Sequence, residues 1–328
     1  MSARRFLAAA AMLGSASVAA AFVRTQSETT GVPLSWRVPV VGFHVNPTID
    51  PARPNTAPSC DPKGAAGPAL AAVQASFAEW QQPCADLTFV YGGVIDDIRT
   101  GVVGANENVV VFRRGWCSQN AFAVNDPCFT DPSANCGALY DCFEDTGKFA
   151  SHSIVALTSV LYDPGNGRII DADVEVNGWD GSAVGSPLTS ASPAPHGWYF
   201  TCLDPELVST AKVCVSYGDE GCHYIDLQAT VTHEAGHFSG LAHPCGDPGL
   251  PSCLLAPPAG ELPYSERTMS PTTTAGDVGK RSLSADDIAG MCAAYPPPSG
   301  GCGCGSGGAA GTVSLLVAML ALRRRRSI

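Results

Sequence analysis

Histidine and glutamate at fixed spacing carry the most specific chemical signal in this chain. From Asp226 to His243 it reads DLQATVTHEAGHFSGLAH, with His233 and His237 four residues apart. On a helix that spacing puts both rings on one face, where they can hold a single metal ion. Glu234 stands beside the first histidine, placed to take a proton from a water held at such an ion. Two ligands alone make a weak, open site. Gly240 tolerates positive φ, so the chain can turn out of the helix and bring His243 up as the third ligand. Three neutral imidazoles plus one open position are what a catalytic zinc ion requires. HExxH alone occurs by chance, but the full HExxHxxGxxH pattern is far more restrictive, and it gathers three of the chain's 7 histidines.

A helix carrying this motif needs a scaffold, and the flanking sequence reads as one α+β domain over residues 22–296. Leu34, Trp36, Val38 and Val40 alternate as a half-buried strand does, and Leu87, Phe89 and Tyr91 repeat the signal. Between them Leu70, Val73, Phe77 and Trp80 fall at helical spacing, an apolar stripe to lay on the sheet. A further strand is expected over 108–112. Two more, 154–162 and 168–176, flank Asp163-Pro164-Gly165-Asn166-Gly167, turn residues that predict a hairpin. Ser284 and Asp287 form a capping-box pattern ahead of Ile288, Met291, Cys292 and Tyr295, so a helix closes the domain.

Composition sets the compartment. Charged residues are 15% of the 328, against about 25% in an average soluble protein, while Gly 35, Pro 26 and Cys 14 are high. That profile suits an exported, disulfide-bonded protein. The net charge is −11, and six of the arginines sit in the two terminal segments, so the body is more acidic still. Nucleic acid is excluded as a partner, because phosphate binding needs a basic surface. Arg4 and Arg5 precede an apolar run ending in Ala19, Ala20 and Ala21, the pattern of a secretory signal over residues 1–21. Twelve cysteines lie between the terminal segments, and none forms a C-x-x-C pair, so a disulfide framework is favoured over a zinc ribbon. Those from Cys117 to Cys142 mark a stapled surface insertion.

The other end is a linker over 297–305 and an apolar tail over 306–328. Gly301-Cys302-Gly303-Cys304-Gly305, an apolar run over 309–322 and then Arg323 to Arg326 follow in order. The run is short for a membrane span, and the arginines would stay in the cytoplasm. This order of parts resembles the C-terminal sorting signal of myxobacterial surface proteins. The resemblance implies a membrane tether before processing, removal near the cysteines, delivery to the cell surface, and Cys302 or Cys304 as a lipidation site; a plain membrane anchor is the alternative.

The body, from about Pro33 to Tyr295, resembles the metzincin metallopeptidases, closest to the matrixin group. Four features carry the likeness: the complete zinc motif; Thr268-Met269-Ser270-Pro271 where the family has its Met-turn; the opening strand followed by a helix ending in Trp80; and Asp171-Ala172-Asp173-Val174-Glu175, similar to the fifth strand. The resemblance implies a twisted five-stranded mixed sheet with three main helices and an active-site cleft. It further implies zinc on His233, His237 and His243, Glu234 as the catalytic base, and Met269 as an apolar floor under the ligands. The strand 154–162 becomes the sheet edge to which a peptide substrate adds. The chain departs from the pattern at Pro244, where matrixins commonly carry Ser, and at Pro271, which excludes a tyrosine two residues after Met269. No cysteine-switch propeptide is recognisable.

Two readings of function follow: a zinc-dependent endopeptidase acting on extracellular proteins, or a non-catalytic adhesion module on the same scaffold. An intact Glu234 favours the first, since a binding module has no chemical need for it. Asp163, Asn166, Asp171, Asp173 and Glu175 supply hard oxygen ligands for a possible calcium ion, although their spacing matches no EF-hand. His44, His152, His196 and His223 read as ordinary surface or core residues.

Overall fold

The computed structural model describes residues 22–46, 68–96, 99–100, 107–114, 116–117, 136–143, 154–178, 200–202, 225–256, 261–274 and 276–298. The signal segment, most of the 117–142 insertion and the tail from residue 299 lie outside the described residues. Strands are β1 (Val23–Arg24), β2 (Val40–Val45), β3 (Thr88–Val94), β4 (Val109–Arg114), β5 (Ala156–Tyr162), β6 (Ile169–Gly178), β7 (Phe200–Thr201), β8 (Ile225–Asp226) and β9 (Leu241–Ala242). Helices are α1 (Pro68–Glu79), the one-turn α2 (Cys136–Tyr140), α3 (Leu227–Phe238) and α4 (Ala285–Ala294).

Five strands form one mixed sheet in the order β3-β2-β4-β6-β5. The first four are mutually parallel, and β5 runs antiparallel to β6 at the edge. The expected hairpin is present: Asp163 accepts the Gly165 amide at 2.9 Å and the Asn166 side-chain amide at 2.8 Å, and Gly167 turns with φ +72°. β4 is apolar at every position from Val109 to Phe112, as a strand buried on both faces must be.

One face of the sheet packs on the helices. Val41, Phe43, Val45, Phe89, Val110, Phe112, Ala172 and Val174 meet Val73, Phe77 and Trp80 of the α1 segment and Val231, Ala235 and Phe238 of α3. Phe77 sits at the centre, stacked on Phe43 (3.9 Å between centroids) and edge-on to Phe238 (5.1 Å). The Trp80 indole donates to the Thr232 carbonyl at 2.8 Å and the Ser76 hydroxyl to Gln228 at 3.0 Å, which locks α1 to α3. On the opposite face Arg113 is buried, donating to Glu175 at 2.5 Å and to the Gly137 carbonyl at 2.8 Å. That bridge, with the Cys117–Cys142 disulfide, lies where Cys117, Cys136 and Cys142 are buried at the ends of the expected insertion; Leu139 is exposed, and residues 118–135 lie outside the described residues.

The opening strand differs from the expected one. Leu34 and Trp36 are buried, but Val38 and Val40 are half exposed, and β2 starts only at Val40 with Val41, Phe43 and Val45 inward. The inward phase flips from even to odd numbers across the bend Arg37-Val38-Pro39. Proline has no amide to give a ladder there. Leu34 and Trp36 serve a separate contact, Trp36 donating its indole N–H to the Phe238 carbonyl at 2.9 Å.

All eight body cysteines within the described residues are disulfide-bonded, as the compartment argument expected. Cys84–Cys292 ties the end of the α1 segment to α4, and Cys245–Cys253 closes a loop directly after His243. Among the described residues no helix is long and apolar enough to cross a membrane, and the 309–322 run lies outside them.

Candidate metal centre

Asp226 begins the site as the N-cap of α3. Its carboxylate accepts the Ala229 amide at 2.7 Å, satisfying one of the amides a helix start leaves open. Arg281 holds the same carboxylate through two of its guanidinium nitrogens, Nη2 and Nε, the latter at 2.9 Å. Burial pushes the Asp226 carboxyl up, and the Arg281 contact opposes this. At the other end Gly240 turns with φ +83°, and a Cβ there would lie 2.7 Å from the Leu34 carbonyl. Only glycine satisfies both conditions, so the turn proposed from sequence is built as expected. β9 then carries the chain to His243 and is held in place by antiparallel pairing with β1.

The three histidines converge. Their candidate ligand atoms all lie within 4.8 Å of one another, and they are the sole group of three or more potential metal-ligating side chains among the described residues. His237 Nε2 is 3.1 Å from both His233 Nε2 and His243 Nε2. Each Nδ1 faces an acceptor outside the cluster. His233 Nδ1 meets the Thr268 carbonyl at 2.7 Å, His237 Nδ1 the Leu241 carbonyl at 2.9 Å, and His243 Nδ1 the Asp247 carboxylate at 3.1 Å. An Nδ1 that donates to an acceptor leaves Nε2 as the lone-pair nitrogen. Three lone pairs facing each other at this distance repel, and a shared cation reverses the sign. Zn–N bonds of about 2.0–2.1 Å in tetrahedral geometry fit such separations. Burial first, and the neighbouring rings second, lower the proton affinity of His233 well below the ordinary value and that of His237 to about 4. His243 is lowered by burial too, with Asp247 opposing. The donor set is therefore neutral imidazole, ready for a metal.

Glu234 is buried beside this cluster. Its Oε2 accepts the Thr158 hydroxyl of β5 at 2.6 Å. Burial raises the carboxyl to about 7, and the Thr158 bond works against that rise. Met269 is also buried, and a Cβ on Gly236 would overlap its sulfur, so Met269 lies against α3 at Gly236.

The turn bearing Met269 is anchored from α4. Arg267 donates to Asp286 at 2.9 Å and to Glu261 at 2.8 Å, and the Thr268 amide donates to Asp287 at 3.1 Å. Asp287 also takes the Ser284 amide at 3.2 Å, so the capping box read from sequence serves the metal centre as well as its own helix. Lys280, buried, donates to the Ser270 and Thr272 carbonyls.

The five acidic and amide residues considered for calcium do not gather. Asp163 and Asn166 are spent on the hairpin turn. Asp173 accepts the Val109 amide at 2.9 Å, and Glu175 binds Arg113 and Thr100 on the sheet face away from the histidines. Asp171 is buried on the same strand. His44 lies on β2 beside Glu107, 3.6 Å away; His152, His196, His223, Cys302 and Cys304 lie outside the described residues. Sequence reasoning missed Thr158, Asp247, Arg267, Lys280 and Arg281. Their partners Glu234, His243 and the N-cap Asp226 were marked in the sequence, but nothing marked which distant side chains would reach them.

Fold and site together define an α+β protein with a mixed five-stranded sheet, three main helices and a three-histidine centre able to hold a metal ion. No family model matches the sequence, and no curated protein matches it.

Proposed function

We propose that this protein is an exported zinc-dependent endopeptidase of metzincin type, with His233, His237 and His243 as the metal ligands and Glu234 as general base. The observation that carries the reading is the convergence of three Nε2 atoms, each with its Nδ1 already engaged, beside a buried carboxylate. His233, His237 and His243 would hold the ion, and zinc bound there would supply an acidified water and polarise a peptide carbonyl. Glu234 takes the proton from the attacking water and passes it to the leaving amine nitrogen, so one carboxylate serves both halves of the hydrolysis. Met269 fills the space under the ligands and keeps their helix face rigid. The Phe6 to Ala21 signal run and the Cys302 to Arg326 tail support export and delivery to the cell surface, where extracellular proteins are the substrates.

The test is cleavage of a peptide library by the exported protein, as prepared, after chelation and after zinc is restored. Cleavage lost with the metal and regained with it is expected, and E234Q should keep zinc while losing nearly all turnover. Protein with stoichiometric zinc that cleaves no peptide would overturn the reading.

A further inference from the structure

Resting on the peptidase reading, we propose that Thr158 is a positioning residue that aims the Glu234 carboxylate. Thr158 belongs to the edge strand β5, and its neighbours on the same face, Ala156 and Val160, pack against the helical core. Its register against Val174 is fixed by the β6 ladder, so its Cα cannot drift relative to the sheet. The hydroxyl reaches two atoms of one residue, the Glu234 carbonyl at 3.1 Å and Oε2 at 2.6 Å. A hydroxyl has one hydrogen to donate. The shorter contact, to an ionisable oxygen, takes it, because a charge-assisted bond is both shorter and stronger than a neutral one.

The consequence is directional. Glu234 has three side-chain torsions, and the hydrogen bond from Thr158 fixes the carboxylate at their far end. Thr158 holds Oε2 against the sheet edge, which leaves Oε1 as the oxygen that exchanges the proton. A base must be aimed before it can accept a proton, and one hydroxyl on a rigid strand supplies the aim. Loss of aim by about 1 Å at a reacting group costs on the order of a hundredfold in rate.

Two substitutions separate positioning from packing, because they rank oppositely under the two roles. Thr158→Val keeps the branched shape and strand preference but removes the hydroxyl; Thr158→Ser keeps the hydroxyl and loses the methyl. If Thr158 aims the base, T158V loses roughly tenfold to a hundredfold in kcat with KM and zinc content unchanged, and T158S stays within a few-fold of wild type. If it only packs, T158V matches wild type and T158S is the weaker variant. Melting temperatures, measured alongside, should show both variants folded at the assay temperature, so that a loss of kcat in T158V is not a loss of structure. Activity of T158V equal to wild type would overturn the proposal while leaving the peptidase reading intact. A zinc-loaded wild-type protein that cleaves nothing would overturn both.

Discussion

Gly236, between Glu234 and His237, is where helix propensity and packing make opposite demands. In the interior of a helix, alanine is better than glycine by about 1 kcal/mol, so Gly236→Ala should stabilise α3 if propensity decided. Packing disagrees. The new Cβ would overlap the Met269 sulfur and lie 2.7 Å and 2.9 Å from two carbons of the Trp80 ring. The sulfur can retreat, being far along a flexible side chain. Trp80 cannot easily follow, because its indole N–H is bonded to the Thr232 carbonyl at 2.8 Å in a fully buried position. Overpacking of this kind costs about 1–3 kcal/mol. Set against the propensity gain of about 1 kcal/mol, the net expectation is destabilisation of up to about 2 kcal/mol, or a melting temperature lower by up to roughly 8 °C for a domain of this size.

Urea denaturation of zinc-free G236A reads the first quantity, and chelator competition reads whether zinc affinity falls as the helix face shifts. A double-mutant cycle identifies the partner: in a Met269→Ala background the cost of G236A should shrink, with a coupling of about 0.5–3 kcal/mol. A G236A protein more stable than wild type by about 1 kcal/mol would refute the reasoning, since it would mean that Met269 and Trp80 do not confine this face.

Asp247→Ala should weaken zinc about 10–100-fold, the usual cost of losing a carboxylate behind a histidine ligand, with little change in the fold; chelator competition measures it. Thiol titration of native protein should find Cys84, Cys117, Cys136, Cys142, Cys202, Cys245, Cys253 and Cys292 unreactive, and removing Cys84–Cys292 should cost about 2–5 kcal/mol. Burial raises the Tyr295 phenol to about 12, while its hydroxyl donates to Ser239 at 2.7 Å. A raised native value means stability that is full below pH 10 and lost as pH rises from about 10 to 12, a shift worth on the order of 3 kcal/mol. Denaturation of Tyr295→Phe against wild type across that range should show the wild-type advantage shrinking with pH; an advantage that stays constant would refute the assignment.

The convergence of the three histidines was legible because their spacing is local. Four residues on one helix and six across a glycine turn are distances that a sequence states outright, and Gly240 has the positive φ the spacing required. The hairpin and the capping box were legible for the same reason, each being written in five residues or fewer. The phase of the first strand was not. Leu34 and Trp36 alternate correctly, yet the burial they report belongs to a contact with Phe238, some 200 positions away, and nothing near Pro39 announces that the ladder begins only after it. Disulfide pairing was illegible in the same way: Cys84 finds Cys292 across a separation of 208.

The least legible layer is the one behind the ligands, and its chemistry explains why. Two of the three Nδ1 partners are backbone carbonyls, Thr268 and Leu241, so no side-chain type marks them. What places those carbonyls is marked, but far off. Asp286 and Asp287 on α4 pin Arg267 and Thr268, and β1 holds Leu241 from the start of the domain. The helix bearing His233 and His237 is held at its N-terminus by Arg281 and beside its C-terminus by Tyr295. A three-histidine cluster whose imidazoles must stay neutral and face inward is unfavourable until a metal arrives. Rigidity supplied by these distant elements keeps the rings from turning their Nε2 atoms outward to water, so the site is preorganised at the expense of the empty state.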